Sequence, residues 1–550
     1  MAKPTDSSHA TAETRQLGLV AAILSLGYVF WVVGAMEMIE RLAYYGVKAV
    51  ATLYAKDPLS KGGLGVTMTE FGTVLTAWAL VQSALPVFTG GLSDRFGYKR
   101  TIAASTVIKI CGYLLMAMLP SFGGFFAGAV VLAAGTAVFK PGIQGTLVKA
   151  TKRENSSMAW GIFYQTVNIG GFLGPLVAGF MRKMEWRYVF LACAAIISLN
   201  FLMLLMYTEP GKADREAELA RKKAAGEQTS LWRESLGELK KPHVWPYLLI
   251  FSGFWFMFNS LFDVLPAHLE EWVDTRDVVT TLRTAPGAVW GAAKFVAMGA
   301  AGLLAAIATP ISQAMSEGPV TASQVARFFV VLNPAGTEIQ PEGMLNINSM
   351  LIMLTCFLFA ALSARMSAIS SMVIGTLFAA AGLFASGASQ LGWISVAAIA
   401  VFSVGEMLSS PKFSEYIGNF APNDKKGMYL GFSQISLAIG WTLEGNLGPR
   451  LYDWLASKDT FSRQMLVEKG MAKAAVDQIP QGEAFTRLVA YLDQLGQNAD
   501  PHAVTAQLAA QHNPGVIWLV MGAVGILSAV GIWWYGQWVR KLTSAGYKAD

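Results

Sequence analysis

The chain has 550 residues and a formal net charge of +6, and it is 54% hydrophobic but only 14% charged. Soluble domains carry about 25% charged residues, so this composition excludes an ordinary soluble globular protein and indicates one that is solvated by lipid. All three cysteines lie in apolar stretches, which predicts packing roles rather than a disulfide framework or a zinc site.

Hydropathy predicts twelve membrane-spanning helices of about twenty residues or more. Their ranges are 18–53, 70–91, 101–120, 124–148, 158–181, 187–207, 246–272, 346–365, 367–388, 392–418, 427–455 and 514–537. A charged stretch separates the sixth from the seventh. The chain is therefore predicted to divide into a six-helix half at 1–207, a linker at 208–245 and a second six-helix half at 246–550.

The loops on one side of these spans hold most of the basic residues, which predicts that both termini are cytoplasmic. Two long segments, 274–345 and 456–514, fall on the outer side. In the first, the apolar stretch from Pro286 to Ile311 is predicted to lie against the membrane surface. The second is predicted to form a small helical cap from 461–476 and 483–495, and a protein partner at these inserts is an open alternative.

The first predicted span carries a stripe of six polar side chains at offsets of 0, 3, 4, 7, 8 and 11, which line one face of a helix. They are Glu37, Glu40, Arg41, Tyr44, Tyr45 and Lys48. Ionisable groups at membrane depth cost about 2.5–3.5 kcal/mol each on insertion scales, so they usually face a cavity or the protein interior. The stripe predicts one wall of a transport path, and a static ion pair between helices is the alternative.

The loop after the second span, Gly90 to Arg100, reads GGLSDRFGYKR. Its glycines permit a tight turn and its basic residues favour the cytoplasmic surface. This loop resembles the signature loop of the major facilitator superfamily. The resemblance implies an all-α membrane protein with the twelve-helix major facilitator fold, in which two six-helix halves enclose a site near the membrane midplane.

Four further motifs resemble those of proton-dependent oligopeptide transporters. Glu37 to Gly46 is similar to the family's Glu-x-x-Glu-Arg-Phe-x-Tyr-Tyr-Gly signature, with Leu42 in place of Phe. The other three are Phe139-Lys140-Pro141 in the fourth span, Phe163 to Gly171 in the fifth, and Gly405 to Pro411 in the tenth. The resemblance implies symport of small peptides, driven by the proton gradient without a cofactor or a metal.

Residue roles follow from the resemblance. It assigns proton coupling to Glu37, Glu40, Arg41, Lys140 and Glu406, and from the residue types we expect Lys140 to pair with Glu40. It assigns contacts with a peptide-like substrate to Tyr44, Tyr45, Lys48, Lys140, Asn168, Asn259, Asn348 and Glu406. Glu406 would bind the amino terminus of the peptide. For the tyrosines, Asn168 and Asn348, helix–helix packing is an equal alternative.

The substrate end of the pattern departs from the family. Lys48 stands where arginine is common, and lysine lacks the bidentate fork that binds a carboxylate. The second span has no tyrosine at 80–87, and Gly431 to Ser433 stands where a pocket tryptophan is expected. The pocket is therefore predicted to be remodelled.

Several intramembrane charges have no family counterpart. Asp263, Glu270, Glu271 and Glu444 are candidates for an outer gate or a second proton site, with Glu270 and Glu271 expected to close against Lys48. Lys109 is expected to extend toward the cytoplasmic interface. Lys412 and Glu415, three residues apart, are expected to neutralise each other.

The sequence thus predicts a proton-coupled symporter for di- or tripeptides or a related small zwitterion in a bacterial inner membrane. A major facilitator transporter of another solute, and a transport-deficient membrane partner of the same fold, stay open. Because no nucleotide loop, metal-ligand cluster or nucleophile–base pair is found, we expect neither an enzyme nor a nucleic-acid-binding protein.

Overall fold

The structure is a computed structural model that describes residues 19–152, 155–213, 216–217, 221, 237–284, 331–420 and 426–544. The helices of the first half are α1 (Leu19–Leu24), α2 (Tyr28–Lys48), α3 (Ala51–Lys56), α4 (Met68–Phe96), α5 (Tyr98–Met118), α6 (Phe122–Ala150), α7 (Ser156–Met181) and α8 (Trp186–Met206). Those of the second half are α9 (Val244–Asp263), α10 (Leu265–Trp272), α11 (Arg276–Thr284), α12 (Pro341–Ser363), α13 (Ala368–Ser386), α14 (Gly392–Phe420), α15 (Lys426–Leu455), α16 (Lys458–Glu468), α17 (Lys473–Asp477), α18 (Ala484–Gln494), α19 (Pro501–His512) and α20 (Val516–Ser544).

Twelve helices of 19 residues or more occur among the described residues, one for each predicted span. Eight of them are apolar and long enough to cross a membrane by length and composition alone. The first predicted span, 18–53, is divided into α1, α2 and α3. The seventh, 246–272, breaks at Val264, next to Pro266, because proline near a helix start cannot continue the preceding helix.

Glycines bring α7 close to α2 and so fix the position of the polar stripe. A Cβ atom at Gly170 would lie 2.4 Å from the carbonyl oxygen of Met38, and one at Gly174 would lie 2.6 Å from that of Leu42. Small residues let membrane helices approach this closely, which adds van der Waals contact where lipid offers no hydrophobic driving force.

The two halves meet along α4 with α15 and α7 with α12. The carboxylate of Asp453 on α15 accepts hydrogen bonds from the backbone N–H groups of Met68 and Thr69, at 3.2 and 2.6 Å. These donors belong to the first turn of α4, which has no intrahelical acceptors, so a carboxylate from the opposite half satisfies them.

Helices α16 to α19 form the predicted cap with its own apolar core, which includes Phe461, Leu488 and Leu508. Trp272 of α10 joins this core, and its indole N–H donates to the carbonyl of Ala456 at 2.8 Å. The cap therefore packs on the second half. We call the end of the bundle that carries the cap and residues 49–67 the cap end.

Parts of the predicted organisation lie outside the described residues. They include the stretch from Pro286 to Ile311, most of the 208–245 linker, and the side chains of the signature loop from Gly90 to Arg95 except Ser93. The domain boundaries remain a prediction.

Candidate transport site

The polar stripe of α2 begins with a buried charge cluster in the first half. The guanidinium Nε of Arg41 lies 3.0 Å from Glu37 Oε1 and 2.6 Å from Glu40 Oε2. Glu40 and Arg41 follow Glu37 by three and four residues, so the three side chains lie on the same face of α2. Its terminal Nη2 is buried and has no hydrogen-bond partner among the described residues, so it is available to an incoming acceptor.

Two lysines complete this cluster, and their placement corrects two predictions. Lys109 of α5 is fully buried and donates to Glu40 Oε1 at 2.6 Å, so it does not extend to the interface. Its ammonium lies 3.9 Å from the centre of the Phe139 ring. Lys140 was expected to pair with Glu40, but it makes no ion pair within 4 Å among the described residues. It remains close enough to Arg41, Glu37 and Glu40 to interact electrostatically.

In the second half, Glu406 of α14 is buried and accepts a hydrogen bond from the Nδ2 of Asn348 at 2.9 Å. Asn348, on α12, also donates to Ser403 Oγ at 3.0 Å. Glu406 is therefore oriented by a neutral donor, and no cation of the described residues pairs with it within 4 Å. A buried carboxylate without a cation is suited to bind an ammonium group.

The structure places the predicted aromatic and amide contacts in different surroundings. Tyr45 reaches across to the second half, with its ring 5.8 Å from that of Phe262, and it interacts electrostatically with Glu406. Tyr44 packs instead against Trp78. Asn168 lies in the middle of α7, and its side chain donates to the backbone carbonyl of Tyr164, one turn earlier, at 2.8 Å.

Lys48 and Asn259 were expected to contact substrate, and the structure places both in a second buried cluster at the cap end. The ammonium of Lys48 forms an ion pair with Asp263. Asn259 donates to Asp263 Oδ2 at 2.5 Å and to Glu444 Oε2 at 2.7 Å. Two carboxylates of the second half thus face one lysine of the first half, and Glu444 Oε1 has no hydrogen-bond partner within the described part of the chain.

The expectation that Glu270 and Glu271 close against Lys48 is wrong. Glu271 forms an ion pair with Lys56 and accepts from Tyr452 at 2.7 Å. Glu270 is half exposed and lies 3.7 Å from Arg182. These carboxylates belong to α10, which starts after the break at Val264, so they reach residues farther along the cap end than Lys48.

Arg182 also forms an ion pair that sequence reasoning missed, with the fully buried Glu342 at 2.9 Å. Arg182 follows α7 and Glu342 lies in the first turn of α12, so the pair joins the two halves. The sequence signal is a carboxylate just inside the start of an apolar helix, where the positive end of the helix dipole also favours it.

Two tryptophans were also missed. The rings of Trp255 on α9 and Trp441 on α15 lie 6.3 Å apart, and their buried indole N–H groups have no acceptor among the described residues. Trp441 lies ten residues after the glycine that stands where the tryptophan of the family is expected. Unpaired buried donors are costly unless a ligand or water satisfies them.

One group of side chains has the composition of a metal site. Asp274, Glu338 and His502 bring three potential ligand atoms within 4.8 Å of one another at the cap end. Arg276 already binds both carboxylate oxygens of Asp274, at 2.9 and 2.5 Å, and lowers the pKa of that carboxyl. This bonding accounts for the position of Asp274 without a metal.

Lys412 and Glu415 pair at 2.7 Å, as predicted.

Two six-helix halves that enclose buried, opposite charges define a membrane transporter. The family model of the Major Facilitator Superfamily matches residues 17–333. The chain belongs to the Major Facilitator Superfamily, is a multi-pass membrane transporter, and is not an enzyme.

Relatives within the superfamily are consistent with the motifs. The chain is 24% identical to the peptide transporter YePEPT of Yersinia enterocolitica over 445 residues, which cover 75% of this chain and 85% of the relative. It is 26% identical to the quinolone resistance protein NorA of Staphylococcus aureus over 165 residues, 30% of this chain and 41% of NorA.

Solved structures with the same fold include a peptide transporter POT in complex with sulfate. It is 15% identical, with a TM-score of 0.57 over 93% of this chain and 99% of that one. A bacterial homologue of the human drug peptide transporters PepT1 and PepT2 is 16% identical, with a TM-score of 0.58 over 96% of this chain and all of that one. The twelve-helix major facilitator fold and the resemblance to peptide transporters are confirmed.

Proposed function

We propose that this protein is a proton-coupled symporter for di- or tripeptides or a related small zwitterion. The observation that carries the proposal is the placement of opposite charges in the two halves. Arg41 and Lys140 lie in the first half, and Glu406 lies in the second half, where no cation of the described residues pairs with it within 4 Å. The relative named as a peptide transporter, YePEPT, supports this substrate class.

The substrate would be held by its two charged ends. The ammonium group would bind Glu406, which Asn348 orients. The carboxylate would bind Arg41 Nη2, which has no hydrogen-bond partner among the described residues, and the ammonium of Lys140. Tyr45, between the two, would contact the middle of the peptide. Such a site selects for the distance between an amino and a carboxyl group, because each buried charge needs its partner.

Proton coupling would use the carboxylates of the α2 cluster, without a cofactor. When a proton neutralises a carboxylate there, Arg41 and Lys140 are released to bind the carboxylate of the substrate. Proton and substrate then favour each other's binding, which is the thermodynamic condition for symport.

The cap end would form the outer gate of an alternating-access cycle. Four ion pairs of the described residues join the halves there: Lys48 with Asp263, Lys56 with Glu271, and Arg182 with both Glu342 and Glu270. Asp263 and Glu444 together would be a second proton site. The basic loops at the opposite end support an orientation with both termini in the cytoplasm, in a bacterial inner membrane.

The test is uptake of radiolabelled dialanine by proteoliposomes under an inward proton gradient. We expect accumulation that a protonophore abolishes, and competition by dialanine but not by N-acetyl-dialanine, which lacks the ammonium. The Glu406→Gln variant should lose at least tenfold in dialanine affinity, whereas the Glu415→Gln control on the same helix should not. Absence of accumulation with dialanine and with a mixed di- and tripeptide pool would refute the proposal.

A second candidate is transport of a non-peptide solute by the same major facilitator fold. It is favoured by the absence of a tyrosine at 80–87 and by the two unpaired indole donors, Trp255 and Trp441, in the second half. A thermal-shift screen of peptides, nucleosides, amino acids and organic acids separates the candidates, because a bound ligand raises the apparent stability of the folded state.

The cap is also the surface on which a protein partner would bind. Its helices contact the transporter through α10 and through Ser60, whose hydroxyl donates to Glu483 at 2.7 Å. Pull-down with and without residues 456–514 tests this function, and unchanged recovery of partners would count against it.

A further inference from the structure

Glu40 and Glu37 lie one helical turn apart, yet their surroundings differ sharply. The Glu40 side chain is 1% exposed and contacts two cations, Lys109 at 2.6 Å and Arg41 at 2.6 Å. The Glu37 side chain is 8% exposed, and among the described residues its one ion pair within 4 Å is with Arg41, at 3.0 Å. Glu40 is therefore sealed and held from both sides, whereas Glu37 has a single, longer contact and partial access.

We propose that Lys109 is a positioning residue that keeps Glu40 as a fixed, ionised partner, so that Glu37 is the carboxyl that binds and releases the transported proton. This inference rests on the proposed function and divides the α2 cluster into two parts. Lys109 and Glu40 form a neutral, permanent pair. Glu37, Arg41 and Lys140 form the part that changes charge.

The surroundings of Lys109 fix its position. A Cβ atom at Gly135 of α6 would lie 2.7 Å from Lys109 Cγ, so the absence of a side chain there makes room for the lysine stem. Phe139 covers the ammonium from the same helix. A buried ammonium that donates to a carboxylate resists separation, because either partner alone would be an uncompensated charge in a low-dielectric interior.

Among the described residues, the cations that act on the two carboxylates come from three helices. Arg41 lies on α2, Lys109 on α5 and Lys140 on α6. With both carboxylates ionised, three cations face two anions. Once Lys109 is assigned to Glu40, the carboxylate of Glu37 is shared by Arg41 and Lys140.

A proton that reaches Glu37 from water neutralises it, and the substrate carboxylate then takes its place on the same two cations. The exchange is one for one, so this cluster carries one proton in each transport cycle. Its removal from Glu37 to water on the other side restores the ion pair with Arg41 after the substrate has left.

The first test measures the pairing without transport. Thermal unfolding midpoints in detergent are compared for Lys109→Met, Glu40→Gln and the double variant. Glu40→Gln leaves the buried ammonium of Lys109 unpaired, and Lys109→Met leaves Glu40 with Arg41 as its one remaining contact cation among the described residues. We therefore expect a lower midpoint for both single variants and recovery in the double variant. The matched control is Lys412→Met, Glu415→Gln and their double variant. This pair spans 2.7 Å, but Glu415 is half exposed, so small effects are expected. Additive losses in the Lys109 and Glu40 cycle would overturn the pairing.

The second test assigns the proton. We expect Glu37→Gln to lose at least tenfold in gradient-driven dialanine accumulation while counterflow continues and no longer depends on pH. The Lys109→Met/Glu40→Gln double variant should reach at least a third of the wild-type dialanine accumulation. Lys109→Met alone should shift the pH dependence of counterflow to higher pH, since Glu40 then has one cation fewer; a purely structural lysine would not cause this shift.

The inference is overturned if a folded double variant cannot accumulate dialanine, or if Glu37→Gln accumulates it like the wild type. If the wild-type protein transports no dialanine, the proposed function has failed, but the inference is still decided by stability. The midpoint difference between wild type and Glu37→Gln must then change between pH 5 and 8. The corresponding difference between wild type and the double variant must stay constant.

Discussion

In the buried cluster at the cap end, we expect substitutions of the two ion-pair partners, Lys48 and Asp263, to differ in their effect on the closed state. Lys48→Met removes the cation that Asp263 and Glu444 share, whereas Asp263→Asn leaves Lys48 with Glu444 close by. We therefore expect Lys48→Met to open the cap end and Asp263→Asn to have much less effect.

The magnitude follows from burial. Asp263 and Glu444 are at most 1% exposed and Lys48 is 9% exposed. Removing one partner of a buried ion pair costs about 3–5 kcal/mol, since it leaves a charge uncompensated. The charges are hydrated when the halves separate, so this cost falls on the closed state alone. At about 1.4 kcal/mol per tenfold, Lys48→Met should shift the equilibrium by roughly 10²-fold to a few times 10³-fold toward the open cap end.

The measurement is the distance between spin labels at two exposed positions, Lys61 in the first half and Lys473 on the cap, by double electron–electron resonance. Wild type and Asp263→Asn should give a short-distance population, and Lys48→Met a long one. Lys412→Met is the control, because its partner Glu415 lies on the same helix and the pair does not join the halves. A short distance in Lys48→Met, or equal opening in Asp263→Asn, would refute the reasoning.

Three further predictions concern the cap end. A disulfide between Ser60→Cys and Glu483→Cys should stop transport until it is reduced, because the 2.7 Å contact joins the first half to the cap; transport by the oxidised variant would show that the cap end need not open. Burial of Lys458 lowers its pKa to about 8. The free energy of unfolding of the wild type should therefore rise relative to that of Lys458→Met between pH 8 and 10, by at most about 3 kcal/mol. Parallel pH profiles of the two proteins would contradict this prediction. Glu342→Gln should lower the thermal unfolding midpoint more than Glu415→Gln does. Glu342→Gln deprives Arg182 of a buried partner, whereas Glu415 is half exposed.

The fold was predictable because each membrane helix is defined by the hydropathy of its own stretch of sequence. Most predicted spans end within about five residues of the observed helices, since a run of apolar residues and its length suffice to define them. The stripe of α2 was predictable for the same reason: its members share one helix and one periodicity.

Lys109 shows what local reasoning can miss. It lies eleven residues after Tyr98, the first residue of α5. At 1.5 Å per residue it stands about 16 Å along the helix, half the thickness of a hydrocarbon core of about 30 Å. A lysine side chain cannot extend to the interface from that depth, so a buried partner was required. Its identity depends on how α5 packs against α2, which the sequence does not specify.

The pairs between the halves were hidden for a different reason. Lys48 and Asp263 are 215 residues apart, and the choice between Asp263 and the carboxylates of α10 depends on the break at Val264. Helix periodicity assigns a residue to a face, but the tilt of the helix and the position of a break decide which partner that face meets.

The two clusters have opposite charge imbalances, which suggests how the proposed cycle links them. In the α2 cluster three cations face two carboxylates, and protonation of Glu37 enlarges this positive excess, so the protonated cluster attracts a substrate carboxylate. At the cap end two carboxylates face Lys48, so closure leaves one negative charge uncompensated unless Asp263 or Glu444 takes a proton. Burying such a charge costs several kcal/mol, and protonation removes that cost. Protonation of Asp263 or Glu444 would therefore favour closure of the cap end once a substrate is bound. Loss of that proton would favour reopening, so that the next substrate can enter.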